Sequence, residues 1–185
     1  MNKFKRPFVG VIGYAGDMLL NNQSLVPICE ELGRKIALKG WTVFNGGRDG
    51  VMEIVSKTAF KAGGNVVGIL PWDSKVEGTN EYLTVPVYTG LDFQMRSFVM
   101  IKSIDVAVSI GGAAGTMIEI LGSYANRVPV ILIEGTGGWT DRLAGLLENG
   151  DYIDERKLAP VFKFKRVDEV IAKIEEIFAS KGGSL

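Results

Sequence analysis

The chain has 185 residues, 46% hydrophobic and 23% charged, which suffices for one well-buried core and is short for two. Lys plus Arg (21) cancels Asp plus Glu (21), excluding a basic field that would draw nucleic acid or an anionic membrane. Histidine is absent, which removes imidazole bases, Ser-His triads and most zinc sites.

Short apolar runs alternate with helical patterns along the whole chain, the signature of a parallel sheet covered on both faces. The expected fold is therefore a Rossmann-like three-layer α/β/α arrangement with a mainly parallel sheet, in a single domain over residues 1–185. Residues 8–12 form the first predicted strand and close in Gly13, Tyr14, Ala15 and Gly16. A helix over residues 24–39 follows, with Leu25, Ile28, Cys29, Leu32 and Ile36 on one face and Gly40 as its stop. Cys29 falls on that apolar face and reads as a buried structural thiol; being the single cysteine, it has no partner for an internal disulfide. Residues 41–44 are the second strand, running into Asn45, Gly46, Gly47, Arg48, Asp49 and Gly50. A second helix carries Val51, Ile54, Val55, Thr58 and Ala62, and residues 66–70 are the third strand.

The stretch 71–81 reads as a surface loop and is the segment best suited to act as a flap. A short strand over 84–88, a helix over 92–102 and a strand over 106–110 come next. That strand meets Gly111, Gly112, Ala113, Ala114, Gly115 and Thr116, which open a helix to about 126. Residues 130–133 are a further strand, and Thr140 or Asp141 is placed to cap the helix after it. A strand over 160–164 and an amphipathic helix over 167–178 close the pattern. No secretory leader is evident, and no apolar run reaches the ~18 residues of a membrane span, so a cytoplasmic location without membrane partners is expected.

Three glycine clusters stand between a strand and a helix: Gly13 to Gly16, Gly46 to Gly50 and Gly111 to Gly115. In an open parallel sheet these strand ends share one edge, where helix N-termini present unpaired N–H groups to anions. A phosphorylated small molecule is the guest this pattern suits. A nicotinamide dinucleotide is disfavoured, since the second strand ends in Asn45 and Gly46 where a ribose-binding carboxylate belongs. No Gly-Lys-Ser/Thr occurs, so a P-loop is absent as well.

Arg96, Asp105, Thr116 and Glu119, with Gly112 and Gly115, follow a pattern that resembles the cytokinin-activating "lonely guy" (LOG) phosphoribohydrolases. That family carries Met-His-x-Arg-Lys followed by Pro-Gly-Gly-x-Gly-Thr-x-x-Glu. Residues 45–52 look like its second glycine loop, and the resemblance extends over about 8–135. Here the motif proline is Gly111, its second glycine is Ala113, and the lysine after the arginine is Ser97. These departures make the chain similar to the molybdenum-cofactor carrier branch of the superfamily, which implies a bound nucleotide or molybdopterin-type ligand and no required cofactor or metal. The lysine-decarboxylase label carried by some members implies a pyridoxal phosphate site that nothing here specifies. The resemblance also implies a homodimer or homotetramer. It assigns Arg96 and Glu119 as catalytic residues if the chain is a hydrolase. Arg96 would then grip the phosphate, and Glu119 would stabilise the oxocarbenium-like sugar. Gly13, Tyr14, Gly16, Gly46, Gly47, Gly50, Gly111, Gly112, Gly115 and Thr116 complete the expected binding set. Carrier and phosphoribohydrolase remain two open readings of one pocket, with an Arg96–Glu119 ion pair as the plain alternative. Asp17, Asp49 and Asp92 read as turn or cap residues, Trp72 and Trp139 as packing over the core, and Lys102 and Arg127 as solvent or subunit-contact residues.

Overall fold

The computed structural model describes residues 6–16, 20–72, 79–147 and 151–180. Asp17 and the centre of the 71–81 loop lie outside these residues.

Among the described residues, seven strands and six α-helices follow one another, alternating except between the third and fourth strands. They are β1 (Phe8–Gly13), α1 (Val26–Leu38), β2 (Thr42–Asn45), α2 (Val51–Lys61), β3 (Asn65–Leu70), β4 (Val85–Tyr88) and α3 (Phe93–Ser103). Then follow β5 (Val106–Ile110), α4 (Ala114–Ala125), β6 (Val130–Ile133), α5 (Gly138–Leu146), β7 (Val161–Phe164) and α6 (Val167–Ser180). A short 3-10 helix (Leu20–Leu25) leads into α1. Every strand pair is parallel, in the order β4-β3-β2-β1-β5-β6-β7.

Period-two alternation sends side chains to two separate cores. Val9, Val11, Val43, Val106, Val108, Ile110, Ile131 and Ile133 join α1, α2 and α6 in one. Ile12, Phe44, Ala107, Val130 and Leu132 join α3, α4 and α5 in the other. Both faces of the sheet are thus covered, which is why its strands read as unbroken apolar runs. Each fully buried Val, Leu or Ile here is worth about 1.5–3 kcal/mol of transfer free energy. Gly33 lets α1 lie hard against α2, since a Cβ there would meet the Val55 carbonyl at 2.5 Å. Surface ion pairs join α1 to α6 through Lys35–Asp168 and Lys39–Glu175, the latter 2.6 Å long. Among the described residues no helix is long and apolar enough to cross a membrane.

Two local expectations are corrected. Gly137, not Thr140 or Asp141, stands at the start of α5. Thr140 is buried with its hydroxyl donating to the Gly111 carbonyl, while Asp141 accepts from the Gly135 and Gly137 amides (2.9 and 2.8 Å). Trp72 does not pack over the core either: it is 44% exposed, at φ 60, with its ring edge-on to Phe93. Trp139 does pack against the second core, and Asp92 caps α3 by accepting from the Met95 amide.

Cys29 is fully buried, and desolvation pushes its thiol up to about 12. The expected outcome is that native protein resists a thiol reagent at about pH 8, whereas unfolded protein reacts with one equivalent. Spectrophotometric thiol titration with and without denaturant checks this.

Candidate functional site

The strand order reverses between β1 and β5, and ligands of open parallel sheets bind in the crevice at such a point. Here a cavity of about 180 Å³ opens beside the ends of β1, β2 and β5. Its walls include Gly13, Gly46, Arg96, Ser97, Gly115, Thr116 and Glu119. A shallower depression of about 320 Å³ adjoins it, lined by Ala15, Gly16, Arg48, Asp49, Met52, Phe93 and Arg96.

Arg96 comes from the first turn of α3 and is only 6% exposed. Its guanidinium packs against Gly46, where a Cβ would stand 2.6 Å from Cζ. Neither Nε nor Nη1 has a hydrogen-bond partner among the described residues. A guanidinium stays charged in a protein, so burying one with donors unmade costs free energy until an anion arrives. Burial pushes its pKa down, the Glu119 carboxyl opposes that shift, and the charge of Arg48 adds to it.

Glu119 sits one turn into α4 and faces the same cavity. Part of the residue is accessible, but its carboxyl is enclosed by protein atoms. Burial raises its pKa above the ordinary carboxylate range, against the pull of Arg96 and of the Ser97 hydroxyl. That hydroxyl donates to Glu119 Oε1 at 2.8 Å, so the residue that departs from the family lysine holds the acid in place. The two charged groups form no ion pair within 4.0 Å. The plain reading of Arg96 and Glu119 as a structural pair therefore fails.

The amide cradle is narrower than the glycine count implies. Gly16 N–H donates to Asp49, Gly47 N–H to Asn45 Oδ1 and Gly111 N–H to Thr136 Oγ1. Val51 N–H, at the start of α2, donates to the Tyr14 carbonyl. These loops bond to one another, and the Tyr14 ring packs over Gly111 and reaches Gly138 rather than the cavity. Tyr14, Gly47, Gly50, Gly111 and Gly112 line neither hollow, and Gly16 lines only the shallow one. The α4 N-terminus is different. No side chain caps it, Gly115 has open space before its Cα, and Ala113, Gly115 and Thr116 line the cavity, at the end where a helix leaves N–H groups unpaired. Thr116 pins this end to the crevice by donating to the Gly13 carbonyl at 3.1 Å.

Asp105 lies away from the site, holding Arg6 and the Phe8 amide near the start of β1. Met52, Phe93, Gln94 and Ile118 line the cavity without having been expected, and Arg48 flanks it. Their contribution depends on α2, α3 and α4 meeting; the one local signal was the cation lodged between glycines at position 48. Among the described residues no group of three or more His, Cys, Asp or Glu side chains is placed to hold a metal ion.

Because the folded pKa of Glu119 is raised, its ionisation opposes folding; the associated stability is present below the unfolded value and lost as pH rises through the folded one. Glu119→Gln should therefore melt higher than the parent at about pH 8, and the gap should close near about pH 4, below the ordinary carboxylate value. Thermal denaturation at the two pH values checks the sign.

The sequence matches the SLOG cluster4 family over residues 6–170. An X-ray structure from the Northeast Structural Genomics Consortium shares 52% identity, covering 92% of this chain and 99% of that one, with a TM-score of 0.87. The molybdenum cofactor carrier protein of Chlamydomonas reinhardtii is 30% identical over 95% of this chain and 99% of its own, with a TM-score of 0.76. A cytokinin riboside 5'-monophosphate phosphoribohydrolase of Arabidopsis thaliana is 28% identical over 65% of this chain, which spans 55% of the plant enzyme. With the seven-stranded parallel sheet and the β1/β5 crevice already described, the match places the chain in the SLOG cluster4 family, among LOG-like and molybdenum-cofactor-carrier-like proteins.

Proposed function

We propose that the protein binds a phosphorylated, nucleotide-like or pterin-type small molecule at the C-terminal edge of its sheet and acts as a carrier for it. The observation that carries this reading is the buried guanidinium of Arg96, a residue lining the cavity, with Nε and Nη1 unpaired among the described residues. A phosphate between that guanidinium and the open N-terminus of α4 supplies the missing acceptors, with charge-assisted bonds on both sides. The relative named as a molybdenum cofactor carrier supports the carrier sense. The chemistry of the donor set fits a phosphate of any such guest, and no catalytic step is needed for the arrangement to be useful.

Glu119 favours a second reading, phosphoribohydrolysis, which the plant relative's name supports. With the phosphate on Arg96, the sugar of a nucleoside 5'-monophosphate lies toward Glu119. As the C1'–N bond breaks, the protonated carboxyl gives its proton to the departing base. Water then adds its oxygen to C1' and returns a proton to the carboxylate, leaving free base and ribose 5-phosphate.

Titration calorimetry with ribose 5-phosphate and adenosine 5'-monophosphate tests the site. Arg96→Gln should weaken binding about 10- to 100-fold, the worth of a charge-assisted hydrogen bond of about 1.5–3 kcal/mol. Unchanged affinity in that variant would refute the proposal. Chromatography of the incubated monophosphate separates the two readings. The carrier reading expects no base release above buffer. The hydrolase reading expects release that Glu119→Gln lowers about 10²–10⁴-fold.

A further inference from the structure

The cavity around Arg96, at about 180 Å³, is smaller than the about 300–1,000 Å³ typical of small-molecule sites. The adjoining depression adds about 320 Å³ and shares Ala15, Met52, Phe93 and Arg96 with it, so the two hollows are immediate neighbours. What distinguishes the depression is a second cation. Arg48 projects from the loop after β2, with its guanidinium carbon 4.9 Å from the Phe93 ring centroid. Stacking of that kind occupies the flat face of a guanidinium and leaves its in-plane N–H groups available to an acceptor. Arg48 makes no ion pair with a carboxylate among the described residues. Asp49, the one acid in the depression, instead accepts from the Gly16 amide at 2.9 Å and ties the first loop to the second. The backbone at Arg48 is fixed: its carbonyl accepts from Asn80 Nδ2 at 2.9 Å, and the preceding Gly47 carbonyl from the Asn80 amide at 3.0 Å. Gly16 forms an open floor, where the nearest atom to a Cβ would be Asp49 Oδ2 at 3.9 Å.

Two arginines thus line one depression with a single described carboxylate, Asp49, which accepts from the Gly16 amide through Oδ1. Like charges converge in this way when the occupant carries more negative charge than one group supplies. We propose that the bound molecule carries a second anionic group besides the phosphate in the deep cavity, and that Arg48, together with Arg96, receives it in the shallow depression. This rests on the phosphate-binding reading of the deep cavity and narrows its ligand class to molecules with two anionic groups a short distance apart. Arg48 becomes the residue that selects them over simple monophosphates.

Calorimetry with inorganic phosphate and inorganic pyrophosphate tests this without any commitment to a base or ring. The parent should bind pyrophosphate at least about tenfold more tightly than phosphate. In Arg48→Gln that ratio should fall to within about twofold, and Arg48→Lys, which keeps the charge but loses the planar fork, should fall between. Arg142→Gln removes a charge of the same sign over Trp139, outside both hollows, and should leave the ratio where it was. The proposal is overturned if the parent shows no pyrophosphate preference, if Arg48→Gln retains it, or if Arg142→Gln erases it equally. A phosphate affinity that Arg96→Gln does not change, beside a pyrophosphate preference that Arg48→Gln does erase, would fail the deep-cavity reading alone.

Discussion

The site exists because the chain crosses the sheet once. After β4, at one edge, it passes through α3 and resumes at β5 beside β1, in the middle. That single long passage places α3 on the face opposite α1 and α2 and opens a crevice between the ends of β1 and β5. Arg96 and Ser97 ride on the passage, while Glu119 and the open N-terminus of α4 follow directly from β5. Close pairing keeps the crevice narrow: a Cβ on Gly13 would collide with the Ile110 carbonyl, its partner across β1 and β5.

Within the crevice the balance of forces is unusual for a protein interior. Buried cations normally have their donors matched, and buried acids are usually paired with them. Here the cation lies against a bare glycine, the acid is held by a serine, and no ion pair joins them. Both groups consequently sit at a free-energy cost. Such local costs gather where a ligand is expected to relieve them, while the two apolar cores on either side of the sheet supply the stability that tolerates them.

Much of the fold was legible because apolar runs and helical spacings are local signals. Residues 106–110 and 130–133 were read at their observed limits, and Arg96 and Glu119 were brought to one cavity by a spacing that resembles a known family. What was illegible depended on distant partners. Whether a glycine amide is free cannot be seen locally: Gly111 is satisfied by Thr136, Gly16 by Asp49 and Val51 by Tyr14, each from another segment. The same holds for Tyr14, whose ring turns toward Gly111 and Gly138, and for Thr140, drawn from a capping role by the buried Gly111 carbonyl. In the sequence Arg48 is simply part of a loop; Phe93 and Arg96, which the fold brings beside it, belong to the distant α3.

The unmatched donors of Arg96 have a consequence for the protein's lifetime in a cell. A guest that relieves them binds the folded chain and not the unfolded one, so it shifts the folding equilibrium by mass action. Molecules left vacant open more often and reach proteases sooner than occupied ones. On the proposed reading, the level of the protein would follow the supply of its guest through folding stability itself, scarcity leaving more chains open to turnover.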